Sequence, residues 1–217
     1  MKALSCLLLA LCVGMAHAAD MTVLRYVDQE PGGPPYATRI LVTPDFMRMD
    51  SGEDAGDFTL LDRRKRMVIN VMHDSRLAMV FASGTLPPKP AGWNARLVEG
   101  KAERGGRHFT LTVKGVTCSE GIAARHAMDA ARAMAEMKAI LAATQYRVWK
   151  ASPPDLQHDC DLANQVWNAG DTLSLGLLLE EHEFTGRTRT LESETRLPVD
   201  PGLFRVPEGM AQINAPS

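Results

Sequence analysis

Two short polar segments carry the residue types that most often bind metal ions in proteins. Residues 158–160 (His-Asp-Cys) place an imidazole and a thiol two positions apart, and residues 180–183 (Glu-Glu-His-Glu) surround an imidazole with carboxylates. Zinc binds such groups. Side chains two positions apart on a helix do not face each other, and on a strand Glu181 and Glu183 lie on the face opposite the histidine. We therefore expect solvated polar positions in both segments and no metal site.

The sequence contains no recognised catalytic motif. It has no GxSxG nucleophile motif, no HExxH zinc motif, no P-loop and no dinucleotide-binding fingerprint. Glu192 and Glu194 lie two positions apart on a predicted strand, and paired carboxylates can act as acid and base. The outward face of a hairpin explains this pair more simply. We predict that the protein is not an enzyme and uses no cofactor, and a hydrolase is the alternative.

Cys118 and Cys160 are the only cysteines beyond residue 18. They are 42 positions apart and form no C-x-x-C motif. Two thiols in an oxidising compartment most simply pair with each other. A redox pair and a pair of metal ligands are the alternatives. We predict a structural disulfide between these two cysteines.

The first eighteen residues have the three parts of a secretory signal. Lys2 supplies a positive charge, residues 4–13 form a short apolar run, and residues 16–18 (Ala-His-Ala) offer small side chains to a signal peptidase. The run is shorter than the about 20 apolar residues that a bilayer-spanning helix needs. We predict a signal peptide over residues 1–18, one domain over residues 19–217 and a periplasmic location. An uncleaved anchor is the alternative.

Charge and hydropathy restrict the classes of partner. The formal net charge is -2, from 24 Lys+Arg and 26 Asp+Glu, so no basic excess indicates nucleic acid. We expect no transmembrane segment after residue 18, because no later run is long and apolar enough. Residues 63–66 (Arg-Arg-Lys-Arg) form a basic turn that could contact anionic lipid headgroups. A solvated turn is the simpler explanation.

Alternating and β-branched segments predict a strand-rich domain. The predicted strands cover residues 22–28, 38–43, 46–50, 58–61, 66–72, 76–81, 95–103, 108–117, 172–184 and 187–197. Helical spacing predicts an amphipathic helix over residues 125–143, and Ser152 before two prolines predicts a second helix that ends near residue 168. Short connections join antiparallel neighbours. We therefore predict an α+β fold, in which a curved antiparallel sheet carries an inserted pair of helices over its concave face.

Methionines concentrate on one side of the first predicted helix. Met128, Met134 and Met137 lie there with Leu141, and flexible thioether side chains suit surfaces that accept varied apolar ligands. We predict that these four residues form the ligand-binding surface, with ordinary core filling as the alternative. In residues 46–50, alternation places two methionines on one face and Phe, Arg and Asp on the other. A copper site on that methionine pair is a weaker alternative.

Two segments resemble a known family. They are residues 42–50 (Val-Thr-Pro-Asp-Phe-Met-Arg-Met-Asp) and residues 197–207 (Leu-Pro-Val-Asp-Pro-Gly-Leu-Phe-Arg-Val-Pro), the second within an irregular tail. Both are similar to periplasmic proteins of a family of unknown function whose fold is related to the LolA/LolB outer-membrane lipoprotein carriers. The resemblance implies an unclosed, LolA-like β-barrel, helices that plug its mouth, and a cavity suited to acyl chains.

The residue patterns and the resemblance together predict a non-catalytic periplasmic binding protein for a hydrophobic ligand. The expected partner is a lipid or a lipoprotein, and nucleic acid is not expected. The alternative is an envelope assembly or stress-related interaction protein whose core is filled by its own side chains. An open apolar cavity favours the first function, and a filled core favours the second.

Overall fold

Within the described part of the chain, twelve strands form one sheet. The computed structural model describes residues 20–215, so the predicted signal peptide over residues 1–18 lies outside the described residues. The strands are β1 (Asp20–Gln29), β2 (Tyr36–Val42), β3 (Phe46–Asp50), β4 (Phe58–Asp62), β5 (Met67–Met72), β6 (Leu77–Ala82), β7 (Ala95–Glu103), β8 (Gly106–Val113), β9 (Val116–Ala124), β10 (Leu177–Glu183), β11 (Thr188–Pro198) and β12 (Ala211–Asn214).

The strand order is β12-β6-β5-β4-β3-β2-β1-β11-β10-β9-β8-β7. All neighbouring pairs are antiparallel except β12 and β6, which are parallel. Because β12 and β7 are edges, the sheet is not closed into a barrel. The predicted α+β class with a largely antiparallel sheet is confirmed. β12 is not among the predicted strands, and its parallel pairing with β6 makes the sheet mixed.

Two helical segments follow β9. Helix α1 covers Met128–Ala151, and α2 covers Asp159–Leu162 and continues into a π-helical turn at Ala163–Trp167. α1 runs past its predicted end at residue 143. It stops where Ser152 adopts extended backbone, with ψ 153°, ahead of a proline, a conformation that proline imposes on its predecessor. α2 begins after its predicted start, because a 3-10 turn at Pro154–Leu156 comes first.

The predicted strand over residues 108–117 is two strands, since the chain turns at Lys114 and Gly115. Both turn residues have positive φ, 50° and 85°, which is the backbone of a two-residue hairpin turn that matches strand twist. β8 and β9 therefore form a hairpin. The predicted strand over residues 172–184 also starts late, because Thr172–Leu175 is a 3-10 turn.

α1 packs against one face of the sheet, which we call the helix-covered face. The helix contacts β2, β3, β5, β6 and β10. Leu24, Ile40 and Leu61 from this face are almost completely buried in one cluster with Met134 and Ile140 of the helix. Burying a side chain of this size stabilises the fold by about 2 kcal/mol, so this cluster is the main core.

The opposite face of the sheet is covered by residues 199–210, and we call it the tail-covered face. Phe204 is buried and stacks on Phe46, with ring centroids 6.0 Å apart. The backbone of this tail has only a 3-10 turn at Pro201–Phe204 before β12. The tail is thus irregular, as predicted, yet it completes a second apolar cluster on the sheet.

Arg48 connects β3 to the tail. It is 2% exposed, and its guanidinium donates to Asp50 at 2.6 Å and to the carbonyl of Leu203 at 3.0 Å. Met47 is buried in the main core on the other side of the strand. The alternation predicted for residues 46–50 is therefore confirmed.

Met134→Asp is expected to lower the free energy of unfolding by about 3 kcal/mol or more, because it buries a carboxylate in the main core. The matched control is Met128→Asp. Met128 is 42% exposed and lies in the first helical turn, where a negative charge is tolerated, so a change within about 1 kcal/mol is expected. Urea unfolding of both variants measures the difference. Equal losses would show that Met134 does not face the core.

Candidate functional site

The four predicted ligand-binding residues lie in different environments. Met134 and Met137 line a cavity between α1 and the helix-covered face, together with Met49 of β3. Leu141 is half-buried against the main core, and Met128 is exposed at the start of α1. The fold thus brings Met134 and Met137 together and leaves the other two outside the lining of this cavity.

We call this space the methionine cavity, and its volume is about 40 Å³. A water molecule needs about 10–15 Å³ of such space, whereas pockets for small-molecule ligands measure about 300–1,000 Å³. The methionine cavity therefore has room for a few water molecules, and an acyl chain does not fit in it as it stands.

Charged side chains also line the methionine cavity. They are Lys138 of α1, Glu181 of β10 and Arg189 of β11. Glu181 is 7% exposed, so the expectation that it is solvated is wrong. Burial, followed by the neighbouring carboxylate of Glu181, raises the pKa of Glu183 above its ordinary value. The rest of the lining is apolar, with Ile40, Leu173 and Leu178 among it, so the small volume of the cavity, and not its polarity, excludes a lipid tail.

Asp28 is the centre of a buried ion cluster beside this cavity. Its carboxylate accepts hydrogen bonds from Arg189 at 2.7 and 3.0 Å and from Arg187 at 3.1 Å. Burial by itself would raise the pKa of Asp28, but the hydrogen bonds and charges of the two arginines outweigh it and lower this pKa. Arg189 also lies 5.1 Å from the ring centroid of Tyr26. The cluster fixes β1 against β11 and supports one wall of the methionine cavity.

A cleft of about 540 Å³ opens on the other side of α1, next to the turn between β4 and β5. We call it the arginine cleft. Its apolar lining residues are Pro44, Leu61, Ala135, Ala139 and Ile140. Its charged lining residues are Arg63, Arg64, Arg66, Arg132 and Glu136. The helical residues recur at spacings of three and four and so share one helix face, and the two alanines leave the space that forms the cleft.

Arg63 holds the wall of the arginine cleft in place. Its guanidinium donates to Glu136 at 2.7 Å, to Asp129 at 3.0 Å and to the carbonyl of Thr43 at 3.0 Å. The side chain is 10% exposed, so the expectation of a wholly solvated basic turn is wrong for this residue. The hydrogen bond to Glu136 raises the pKa of Arg63 above its ordinary value. Arg63 therefore acts as a clamp between the turn and α1.

The other arginines of the cleft differ in their partners. Arg64 donates to Asp45 at 2.6 Å. Arg132 is 3.8 Å from a carboxylate oxygen of Asp129, which Arg63 already uses. Within residues 20–215, the Arg66 side chain has no hydrogen bond or ion pair. Positive charge at the cleft is therefore incompletely neutralised at Arg66 and Arg132.

Two further grooves have comparable volumes. One of about 450 Å³ includes Arg187 and Arg189, whose charges are already used by Asp28. The other, of about 470 Å³, lies beside the tail and is lined by Phe204 and Arg205. Neither groove contains a pair of arginines without close carboxylate partners of their own. The arginine cleft contains such a pair, Arg66 and Arg132.

The segments with metal-ligand residue types have other contacts. The His158 ring packs edge-on against Phe184, with centroids 5.5 Å apart. The imidazole of His182 is 2.7 Å from the carboxylate of Glu180. Across residues 20–215, no group of three histidine, cysteine or acidic side chains is placed to hold a metal ion.

Cys118 and Cys160 are bonded to each other, as predicted. The bond joins β9 to α2, and both cysteines are buried in a small apolar cluster with Leu111, Val113 and Ala163. Such bonds persist in oxidising compartments outside the cytoplasm. No helix within the described part of the chain is long and apolar enough to cross a membrane.

The fold and the cleft define an open-sheet α+β protein with room for a ligand beside its long helix. No family model matches the chain, and no curated protein matches its sequence. A solved structure of an uncharacterized conserved protein from Thermus thermophilus is similar over 91% of both chains, with 10% identity and a TM-score of 0.45. PNGF-II is similar in two crystal forms, with 11% and 9% identity and TM-scores of 0.40 and 0.39. The match covers 91% of this chain but 31% and 32% of PNGF-II. Similarity at this level carries no argument about function.

Proposed function

We propose that this protein is a non-catalytic, periplasmic binding protein for a hydrophobic ligand, and that the ligand occupies the arginine cleft. The observation that carries the proposal is the cleft itself. Its volume of about 540 Å³ lies within the about 300–1,000 Å³ of small-molecule pockets. Leu61 and Ile140 form its buried floor, and Ala135 and Ala139 its helical wall.

The methionine cavity is not the ligand site in this proposal, because its volume is about 40 Å³. Direct ligand contact by Met128, Met134, Met137 and Leu141 stays a prediction, as does a LolA-like relationship. A ligand in the arginine cleft would contact the opposite side of α1, at Arg132, Ala135 and Ala139. The disulfide between Cys118 and Cys160 supports the compartment, because it is the bond expected in a periplasm.

One observation favours the alternative of an interaction protein. The space under the methionine side of α1 is nearly filled, with about 40 Å³ left, as expected for a core that takes no ligand. An assembly or stress-related role would leave the arginine cleft without affinity for apolar molecules. Binding measurements at the cleft therefore separate the two functions.

Ala139→Trp is expected to weaken the binding of 1-dodecanoylglycerol, a neutral single-chain amphiphile, by at least about tenfold, because the indole fills the cleft. Ala139 is exposed, so the variant keeps its fold. Calorimetric titration of the wild-type protein at two temperatures should show a negative heat-capacity change, which marks apolar burial.

The matched control is Ala151→Trp, an exposed position at the far end of α1. It should bind 1-dodecanoylglycerol as the wild-type protein does, and both variants should keep the wild-type melting temperature. If saturating 1-dodecanoylglycerol produces no heat at either temperature, the binding function is wrong and the interaction protein remains. Equal weakening by both tryptophans would place the ligand elsewhere.

A further inference from the structure

We infer that the arginine cleft recognises a phosphate ester headgroup on its amphiphilic ligand, through the guanidinium groups of Arg66 and Arg132. This inference rests on the proposed function, since it adds a headgroup to a ligand whose apolar part lies in the same cleft. The basis of the inference is that most cationic side chains of the cleft have carboxylate partners, whereas Arg66 and Arg132 have none of their own.

Among the cationic side chains around the cleft, two have no carboxylate partner of their own. Arg63 is held by Glu136 and Asp129, and Arg64 by Asp45. Lys65 lies 3.4 Å from Asp62. These three cations of the turn therefore have carboxylate partners.

Arg66 and Arg132 remain. Arg66 is exposed and without an ion pair among residues 20–215. Arg132 is 65% exposed and 3.8 Å from Asp129, whose oxygens already accept from Arg63 at 3.0 and 3.1 Å. Both side chains are thus available for an anion.

The two arginines come from different elements of the fold. Arg66 ends the turn between β4 and β5, and Arg132 lies in the second turn of α1. Both line the same 540 Å³ space. A phosphate monoester carries about -1.5 to -2 charges at pH 7 and three terminal oxygens, whereas a carboxylate carries one charge and two oxygens. Two guanidinium groups around one opening therefore favour phosphate.

The Arg63 clamp joins the two elements that carry these arginines before a ligand arrives. Its hydrogen bonds to Glu136 and Asp129 connect the turn that carries Arg66 to the helix that carries Arg132. A site whose walls are already fixed loses less conformational entropy on binding. Apolar residues, Ala135 and Ala139 among them, line the same cleft as the two arginines, so the cleft offers surface to both a headgroup and a chain.

The test compares two ligands that differ only in the phosphate, 1-dodecanoylglycerol and 1-dodecanoylglycerol 3-phosphate, both below their micelle concentrations. The wild-type protein should bind the phosphate ester at least about tenfold more tightly. The double variant Arg66→Gln/Arg132→Gln should lose this preference and keep its affinity for the neutral ligand. Added salt should reduce the preference of the wild-type protein, since the groups are exposed.

The control is Arg25→Gln/Arg96→Gln, which removes two exposed arginines that do not line the cleft and should leave the preference unchanged. Equal wild-type affinities for the two amphiphiles would overturn the headgroup inference while the proposed function stands. If 1-dodecanoylglycerol does not bind while its phosphate ester does, the proposed function is refuted. If glycerol 3-phosphate binds as tightly as the acylated phosphate, the site recognises a small phosphate ester, and the inference of an amphiphilic ligand is wrong.

Discussion

Replacing Asp28 with alanine is expected to lower the free energy of unfolding by about 4 kcal/mol, because removing one partner of a buried ion pair leaves the other charge uncompensated. The Asp28 side chain has no exposed surface, and both Arg187 and Arg189 donate to it. Guanidinium chloride unfolding, followed by circular dichroism, measures the loss.

Two control variants test whether the loss comes from the buried charge. One keeps the shape of the side chain, and the other removes an ordinary surface ion pair. Asp28→Asn keeps the shape and removes the charge, so it should cost less than alanine. Asp54 is 66% exposed and accepts from Arg39 at 2.7 Å, and Asp54→Ala should cost no more than about 1 kcal/mol, as is usual at a surface. Similar losses for Asp28→Ala and Asp54→Ala would mean that the buried cluster adds nothing to stability.

Asp28 also predicts a pH dependence. Its pKa in the folded protein lies below the ordinary value of 3.8. The folded state therefore releases this proton more readily than the unfolded state. The resulting stabilisation is complete above the unfolded pKa and is lost as pH falls below about 4 and through the folded pKa. The difference in the free energy of unfolding between wild type and Asp28→Asn should accordingly shrink in that acidic range. A difference that does not change with pH would contradict this prediction.

Removing the disulfide by Cys118→Ser/Cys160→Ser is expected to destabilise the protein by about 4 kcal/mol, the chain-entropy value for a loop of this length. The bond spans 42 positions and holds α2 against β9. Thermal unfolding with and without a reductant provides the measurement. The wild-type protein should lose stability in the reductant, whereas the serine variant should be insensitive to it. A wild-type melting temperature unchanged after full reduction would contradict a stabilising role.

Local patterns were sufficient for most of the strands. The bounds of β3 and β7 agree with the predicted residues 46–50 and 95–103, because alternation and flanking turn residues are contained in a few adjacent positions. The turn at Lys114 was missed, since a lysine with positive φ is uncommon and gives little signal. β12 was missed because pairing with β6 defines it and its four residues have no period of their own, and the irregular tail was predicted without its packing on the sheet.

The candidate site was predictable only in part. The basic turn at residues 63–66 is visible as a run of charge, but nothing in it distinguishes Arg63 from Arg66. The partners of Arg63 on α1 are 66 and 73 positions away. In the same way, Asp28 meets Arg189 across 161 positions. Such contacts depend on tertiary structure, and a single sequence has no periodic signal for them.

By itself the sequence determined the class of fold, the cysteine pair and the amphipathic character of α1, because each depends on residue type and short-range spacing. The tertiary structure alone decided which side of α1 has room for a ligand. Methionines at 134 and 137 fill their side almost completely, whereas alanines at 135 and 139 leave a cleft. A sequence shows which side chains are apolar, but empty volume results from how closely the opposing surfaces approach.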